Sequence, residues 1–188
     1  MRRLRCKSRL AQIPAKYIGK TFDDYRETSE NSEAVQIAHW LVDEKPNKGA
    51  FFYGDVGTGK TLLAAIVAQE FMRDFRTVIF GDMPSLLTDI KSTFGTNKTS
   101  ELLERLISVD LLVLDDIGAE KVTDWSAEQL YLLVNGRYNG DKPVLVTSNY
   151  DFAGLTERFG GDILAKRITS RLSEMTVQAF FGTKDWRT

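Results

Sequence analysis

Thiols and imidazoles are almost missing from this chain: Cys6 is its only cysteine and His39 its only histidine. A single cysteine excludes an internal disulfide and fits a reducing cytosol. Two soft ligands are too few for a structural zinc site. No apolar run approaches the roughly 18 residues of a membrane helix, and the first residues lack the apolar stretch of a secretory signal. Repeats and low-complexity segments are also missing. A cytoplasmic protein with no membrane partner is the expectation. The 188 residues, 43% hydrophobic and 27% charged, suffice for one soluble globular domain with a substantial core and are too few for two.

Acidic residues are missing from the first twenty positions, which carry Arg2, Arg3, Arg5, Lys7, Arg9, Lys16 and Lys20. Taking these seven from 25 basic residues leaves 18 against 26 acids, so residues 21–188 carry a net −8. A basic arm on an acidic body suits a contact with nucleic acid or an acidic protein; it also suits a merely solvated terminus. The arm is expected over residues 1–12, and the folded domain over 13–188.

What is present is concentrated in eight residues. Gly54, Asp55, Val56, Gly57, Thr58, Gly59, Lys60 and Thr61 fit G-x-x-x-x-G-K-[ST], the phosphate-binding loop. Glycines let the backbone wrap phosphate oxygens with N–H groups. Lys60 supplies a cation for the β- and γ-phosphates, and the Thr61 hydroxyl can reach Mg²⁺. The apolar Ala50–Tyr53 before the loop reads as a buried strand, and Leu62–Ala68 after it as a helix. That order aims a helix N-terminus at an anion.

Around this unit the pattern alternates. A helix is expected over 32–44, with Val35, Ala38 or His39, and Val42 on one face. Strands are expected at 77–80, 111–114 and 144–147, with a short fifth at 175–180. Helical segments are expected near 84–92 and 100–107, from a Ser126–Gln129 capping box to about 138, and within 152–158 and 161–172. Continuous apolar strands alternating with helices imply a mainly parallel five-stranded sheet covered on both faces, a three-layer αβα P-loop fold. Ligands of such sheets bind off the C-terminal strand ends. The loop after Phe80, the P-loop, Asp115-Asp116 and Asn149 then share one rim.

The chemistry expected there is phosphoryl transfer. Asp115 can hold Mg²⁺, directly or through water, because a hard cation takes oxygen ligands. Asp116 sits where a general base polarises water. Asn149 can reach the γ-phosphate or orient the nucleophile, or it simply forms a turn. Arg167 and Arg171 lie four apart on one helix face, either solvated or offered to a neighbour's site as an arginine finger.

The order P-loop, Leu-Val-Leu-Asp-Asp-Ile-Gly, Thr-Ser-Asn, then Arg-Ile-Thr-Ser-Arg-Leu resembles the AAA+ ATPases of the DnaC/DnaI helicase-loader group, whose clade includes the transposition ATPase IstB. The lead-in Ile13-Pro14-Ala15-Lys16-Tyr17 with Thr21-Phe22-Asp23-Asp24-Tyr25, the Gly118-Ala119-Glu120 tail and the ending Asp185-Trp186-Arg187 are similar too. The resemblance runs from about residue 9 to 187. It implies ATP and Mg²⁺ as cofactors. Asp115 and Asp116 would be the Walker B pair, Asn149 the sensor 1, and Arg171 ahead of Arg167 the finger. Arg187 is a weak sensor-2 match. It implies a weak, DNA-stimulated ATPase acting as a homo-oligomer in DNA replication, with a DnaB-type replicative helicase and single-stranded DNA as partners. Loaders of the group touch single strands through an insertion that here corresponds to Lys91-Ser92-Thr93-Phe94. Lys91 and Phe94 offer charge for a backbone and a ring for a base.

Two departures stand out. Asp116 occupies a place where most AAA+ proteins carry Glu. The group's loaders also grip the helicase with a separate N-terminal domain, whereas about a dozen residues precede the lead-in here. The basic arm is expected to make that contact, or the partner is gripped differently. The alternatives are a transposition ATPase on duplex DNA and a non-catalytic adaptor or inhibitor switched by ATP. A small P-loop kinase would need an acceptor pocket and lid arginines, and the sensor and finger pattern argues against it.

Overall fold

A computed structural model describes residues 12–93, 95, 97–119 and 123–186. Residues 1–11 of the arm, Phe94, Glu120 and Arg187 lie outside them. Five parallel strands form one sheet: β1 (Gly49–Tyr53), β2 (Val78–Asp82), β3 (Leu111–Ile117), β4 (Val144–Ser148) and β5 (Thr176–Phe180), in the order β2-β3-β4-β1-β5. The helices are α1 (Ser32–Glu44), α2 (Lys60–Arg73), α3 (Met83–Ser92), α4 (Asn97–Ser108), α5 (Asp124–Asn139), α6 (Phe152–Arg158) and α7 (Ile163–Met175).

Strand side chains alternate between faces, so each apolar run feeds two cores. Ala50, Phe52, Val78, Phe80, Leu111, Val113 and Leu145 pack against α1 and α2. Phe51, Ile79, Leu112, Leu114, Val144 and Val146 pack against α3 to α7. The result is the expected three-layer, parallel architecture. Among the described residues no helix is long and apolar enough to cross a membrane.

Three local expectations are corrected. The buried face of α1 is Ala34, Val35, Ile37, Ala38 and Leu41. His39 is exposed and stacks on Phe22 at 4.0 Å, because the core lies on the side of the 34/37/38/41 stripe. The capping box of α5 is formed by Thr123 and Ser126, so the helix opens at Asp124, and Gln129 is buried inside it. Thr123 wins because its hydroxyl accepts the Ser126 N–H at 3.2 Å while Ser126 Oγ accepts the Thr123 N–H at 2.8 Å. Finally, β3 runs through both carboxylates to Ile117 rather than stopping at Leu114.

Two buried polar groups tie layers together. Gln69 donates to the carbonyls of Tyr17 (3.0 Å) and Ala65 (3.0 Å), and its Oε1 accepts the Gly19 N–H at 2.6 Å. This fastens the lead-in to the helix behind the P-loop. Arg137, 1% exposed, donates to the carbonyls of Leu106, Ile107, Val109 and Pro143. It thereby caps the end of α4 with a charge at its favourable helix pole.

Candidate active site

The loop between β1 and α2 is built on glycines in the left-handed region: φ is +142° at Gly54, +82° at Gly57 and +99° at Gly59. Only glycine takes such angles without strain. Space makes the same demand. A Cβ on Gly57 would lie 2.0 Å from an Asp185 carboxylate oxygen, and one on Gly59 would lie 3.0 Å from Tyr25 Oη. The loop is thus a backbone cradle at the N-terminus of α2, where N–H groups and helix dipole favour an anion. Thr58 Oγ1 donates to the Asp55 carbonyl at 2.9 Å. Lys60 Nζ donates to the carbonyls of Gly54 and Asp55, both at 2.7 Å, and to Thr58 Oγ1 at 3.4 Å.

The sheet order places β4 between β1 and β3, so the end of β4 stands between the loop and the two carboxylates. Across β4 the register slips: Leu114 faces Val146, but Ile117 faces Ser148. Two residues, Asp115 and Asp116, therefore oppose Thr147, which is a bulge in β3. Asp116 takes φ +57° there. In a regular strand the two carboxylates would point to opposite faces; through the bulge the Asp115 carboxylate and the Asp116 backbone N–H meet the same threonine, and the Asp116 carboxylate turns to Asn149. Thr147 Oγ1 donates to Asp115 Oδ1 at 2.6 Å and accepts the Asp116 N–H at 2.9 Å. Asn149 Nδ2 donates to Asp116 Oδ1 at 3.3 Å. Thr61 also acts on the Asp115 carboxyl, favouring its charged form.

Lys60, Thr61, Asp115, Asp116 and Asn149 thus lie on one rim, as the sequence suggests. Sequence reasoning assigned no role to Thr147. Its sequence signal was a hydroxyl that ends the apolar run Val144-Leu145-Val146; the fold leaves it 1% exposed. Thr61 and Asp115 together supply two hard oxygen donors. That suits Mg²⁺, which takes one or two protein oxygens and completes its shell with phosphates and water.

Burial pushes the Asp115 carboxyl above the ordinary range, and the charges of Asp116 and Asp82 add to this; hydrogen bonds from Thr147 and Thr61 oppose it. Asp82 is in register with Asp115 across β2 and β3. A carboxyl raised in the folded state weakens folding at neutral pH, and the penalty fades as pH falls through the raised value. Asp115→Asn should therefore raise the melting temperature of the nucleotide-free protein at about pH 7. The gain should shrink as pH falls through the raised value and be lost below the ordinary carboxylate range; thermal scans in chelator at about pH 7 and about pH 3 check it.

The other candidates lie apart. Arg167 is exposed on α7. Arg171 Nε donates to Asn135 Oδ1 at 2.9 Å and Nη1 to the Arg167 carbonyl at 3.3 Å, so the side chain is engaged with α5 and its own helix, not with the loop or the carboxylates. Lys91 is exposed in the last turn of α3. Its intended partner Phe94 is outside the described residues.

Sheet order, P-loop and paired acids define an AAA+ type P-loop nucleotide-binding fold. The model of the IstB-like ATP binding protein family matches residues 1–179; the chain belongs to that family and to its ATP-binding class. It is 29% identical over 154 residues to the replicative helicase loader DnaC of Buchnera aphidicola subsp. Baizongia pistaciae, covering 79% of this chain and 63% of the relative. It is 30% identical over 149 residues to DnaC of Escherichia coli K12, covering 77% and 61%. The chain thus spans a little under two thirds of the length of these curated relatives. A crystal structure of DnaI superposes with a TM-score of 0.80 at 24% identity, over 89% of this chain and 93% of that one.

Proposed function

We propose that residues 13–188 form an ATPase unit that binds ATP·Mg²⁺, hydrolyses it slowly, and works in an oligomer to place a replicative helicase on single-stranded DNA. The observation that carries this reading is the convergence of Lys60, Thr61, Asp115, Asp116 and Asn149 on one rim of a parallel sheet. In it, the Gly54–Gly59 backbone and Lys60 hold phosphates, while Thr61 and Asp115 hold the metal. Asp116 polarises the attacking water and Asn149 orients it. Arg171, with Arg167 second, serves the neighbouring subunit's γ-phosphate. The loader role draws on the likeness to DnaC over most of this chain. Lys91 contacts the strand, and the basic arm of residues 1–12 grips the helicase.

The test is turnover per subunit against protein concentration, with and without single-stranded DNA. Both should raise it, because the site is complete only between subunits. A rate independent of both would overturn the shared-site reading. A second reading, a transposition ATPase on duplex DNA, has the IstB-like family match behind it. Tighter binding of duplex than of single strand in titration would favour it.

A further inference from the structure

Tyr131, Asn135 and Tyr138 recur on α5 at spacings of four and three, which puts them on one stripe. That stripe faces α7, and Arg171 lies in it. The guanidinium carbon is 5.3 Å from the Tyr131 ring centroid and 5.5 Å from that of Tyr138. Asn135 Oδ1 takes the Nε hydrogen at 2.9 Å. Tyr138 is itself fixed: its hydroxyl donates to Glu174 Oε2 at 2.6 Å, and Ser170 Oγ donates to Glu174 Oε1 at 3.2 Å.

We propose that Asn135, Tyr131 and Tyr138 form a clasp that presets Arg171 for the active site of an adjoining copy. The inference rests on the reading of Arg171 as the cation supplied in trans. A long arginine side chain on an open surface samples many rotamers, and each must be given up when it meets phosphate. Two aromatic faces and one acceptor remove that freedom beforehand. The acceptor on Nε is an amide, Asn135, while the Glu174 carboxylate, which also attracts Arg171, is occupied by the Tyr138 and Ser170 hydroxyls. The clasp bonds occupy Nε and Nη1, and Nη2 has no hydrogen bond among the described residues. These three α5 residues are positioning residues; none of them touches the loop.

The experiment uses the full chain at assembling concentrations with single-stranded DNA. Asn135→Ala should lower kcat about tenfold or more, the scale of a misplaced group, with KM for ATP and nucleotide affinity unchanged. Tyr131→Leu should give the same pattern, more weakly. Each variant is then mixed with Lys60→Ala, whose loop is broken and whose clasp is intact. Mixed assemblies should regain turnover, because the Asn135→Ala loops meet a well-held arginine from the other chain. A wild-type rate for Asn135→Ala beside a dead Arg171→Ala would overturn the clasp while leaving the finger in place. A loss that mixing does not repair would overturn it too, since the residue would act within its own subunit. A wild-type rate for Arg171→Ala would remove the finger and the clasp together.

Discussion

Lys60→Ala is expected to remove most ATP binding, since truncating one partner of a buried, hydrogen-bonded charge pair costs about 2–5 kcal/mol, roughly thirtyfold to several-thousandfold in affinity. Lys60 is 7% exposed, and its ammonium sits inside the loop, donating to Gly54, Asp55 and Thr58. Alanine removes the cation that faces the phosphates and also the tie between the start and the middle of the loop. Arginine cannot stand in: its planar fork does not fit a space shaped for a compact ammonium. The fold should survive, because α2 is held by the buried side chains of Leu63, Ala64, Ile66 and Val67, all 0% exposed, none of which the change removes. Titration with a fluorescent ATP analogue reads the affinity, and a thermal scan shows that the protein is folded. Retained affinity would refute the loop as the phosphate site.

The loop was legible because its chemistry is local. Eight consecutive residues carry the glycines, the lysine and the hydroxyl, and the flanking apolar runs say strand before and helix after. The sheet was legible for a related reason: Leu111–Leu114 and Val144–Val146 are apolar without alternation, and only a sheet covered on both faces uses such runs. What the sequence concealed is contact between segments far apart in the chain. Nothing near Asp115 announces that a bulge would bring it and Asp116 to the same threonine, 32 and 31 residues on. Nothing near Arg171 points to Asn135, 36 residues away. Gly57 reads as a turn glycine; the chain also needs it because the Asp185 carboxylate lies against its Cα. The α5 cap failed locally, where two overlapping S/T-x-x-polar patterns competed, and the earlier one had the hydroxyl geometry.

Asp116→Asn is expected to leave ATP bound and stop its hydrolysis, with turnover down roughly a hundredfold to ten-thousandfold, the range of a lost general base. The substitution is chosen for the backbone. At φ +57° most side chains are strained, whereas asparagine tolerates the left-handed region almost as aspartate does. The bulge should therefore persist, and with it the Asp116 N–H bond to Thr147 Oγ1 and the second Thr147 bond to Asp115. The amide oxygen can still accept from Asn149, which now sits 3.3 Å from the carboxylate. What disappears is one negative charge at the point where water must be polarised. Alanine at the same place would confound charge with strain, a cost of about 1 kcal/mol or more, and would leave Asn149 without its acceptor. Equilibrium binding and single-turnover hydrolysis, measured on one preparation, separate the two steps. Hydrolysis at the wild-type rate would move the base elsewhere on the rim. Loss of binding along with turnover would mean that Asp116 holds the nucleotide or its metal, and the division of labour between the paired carboxylates would have to be redrawn.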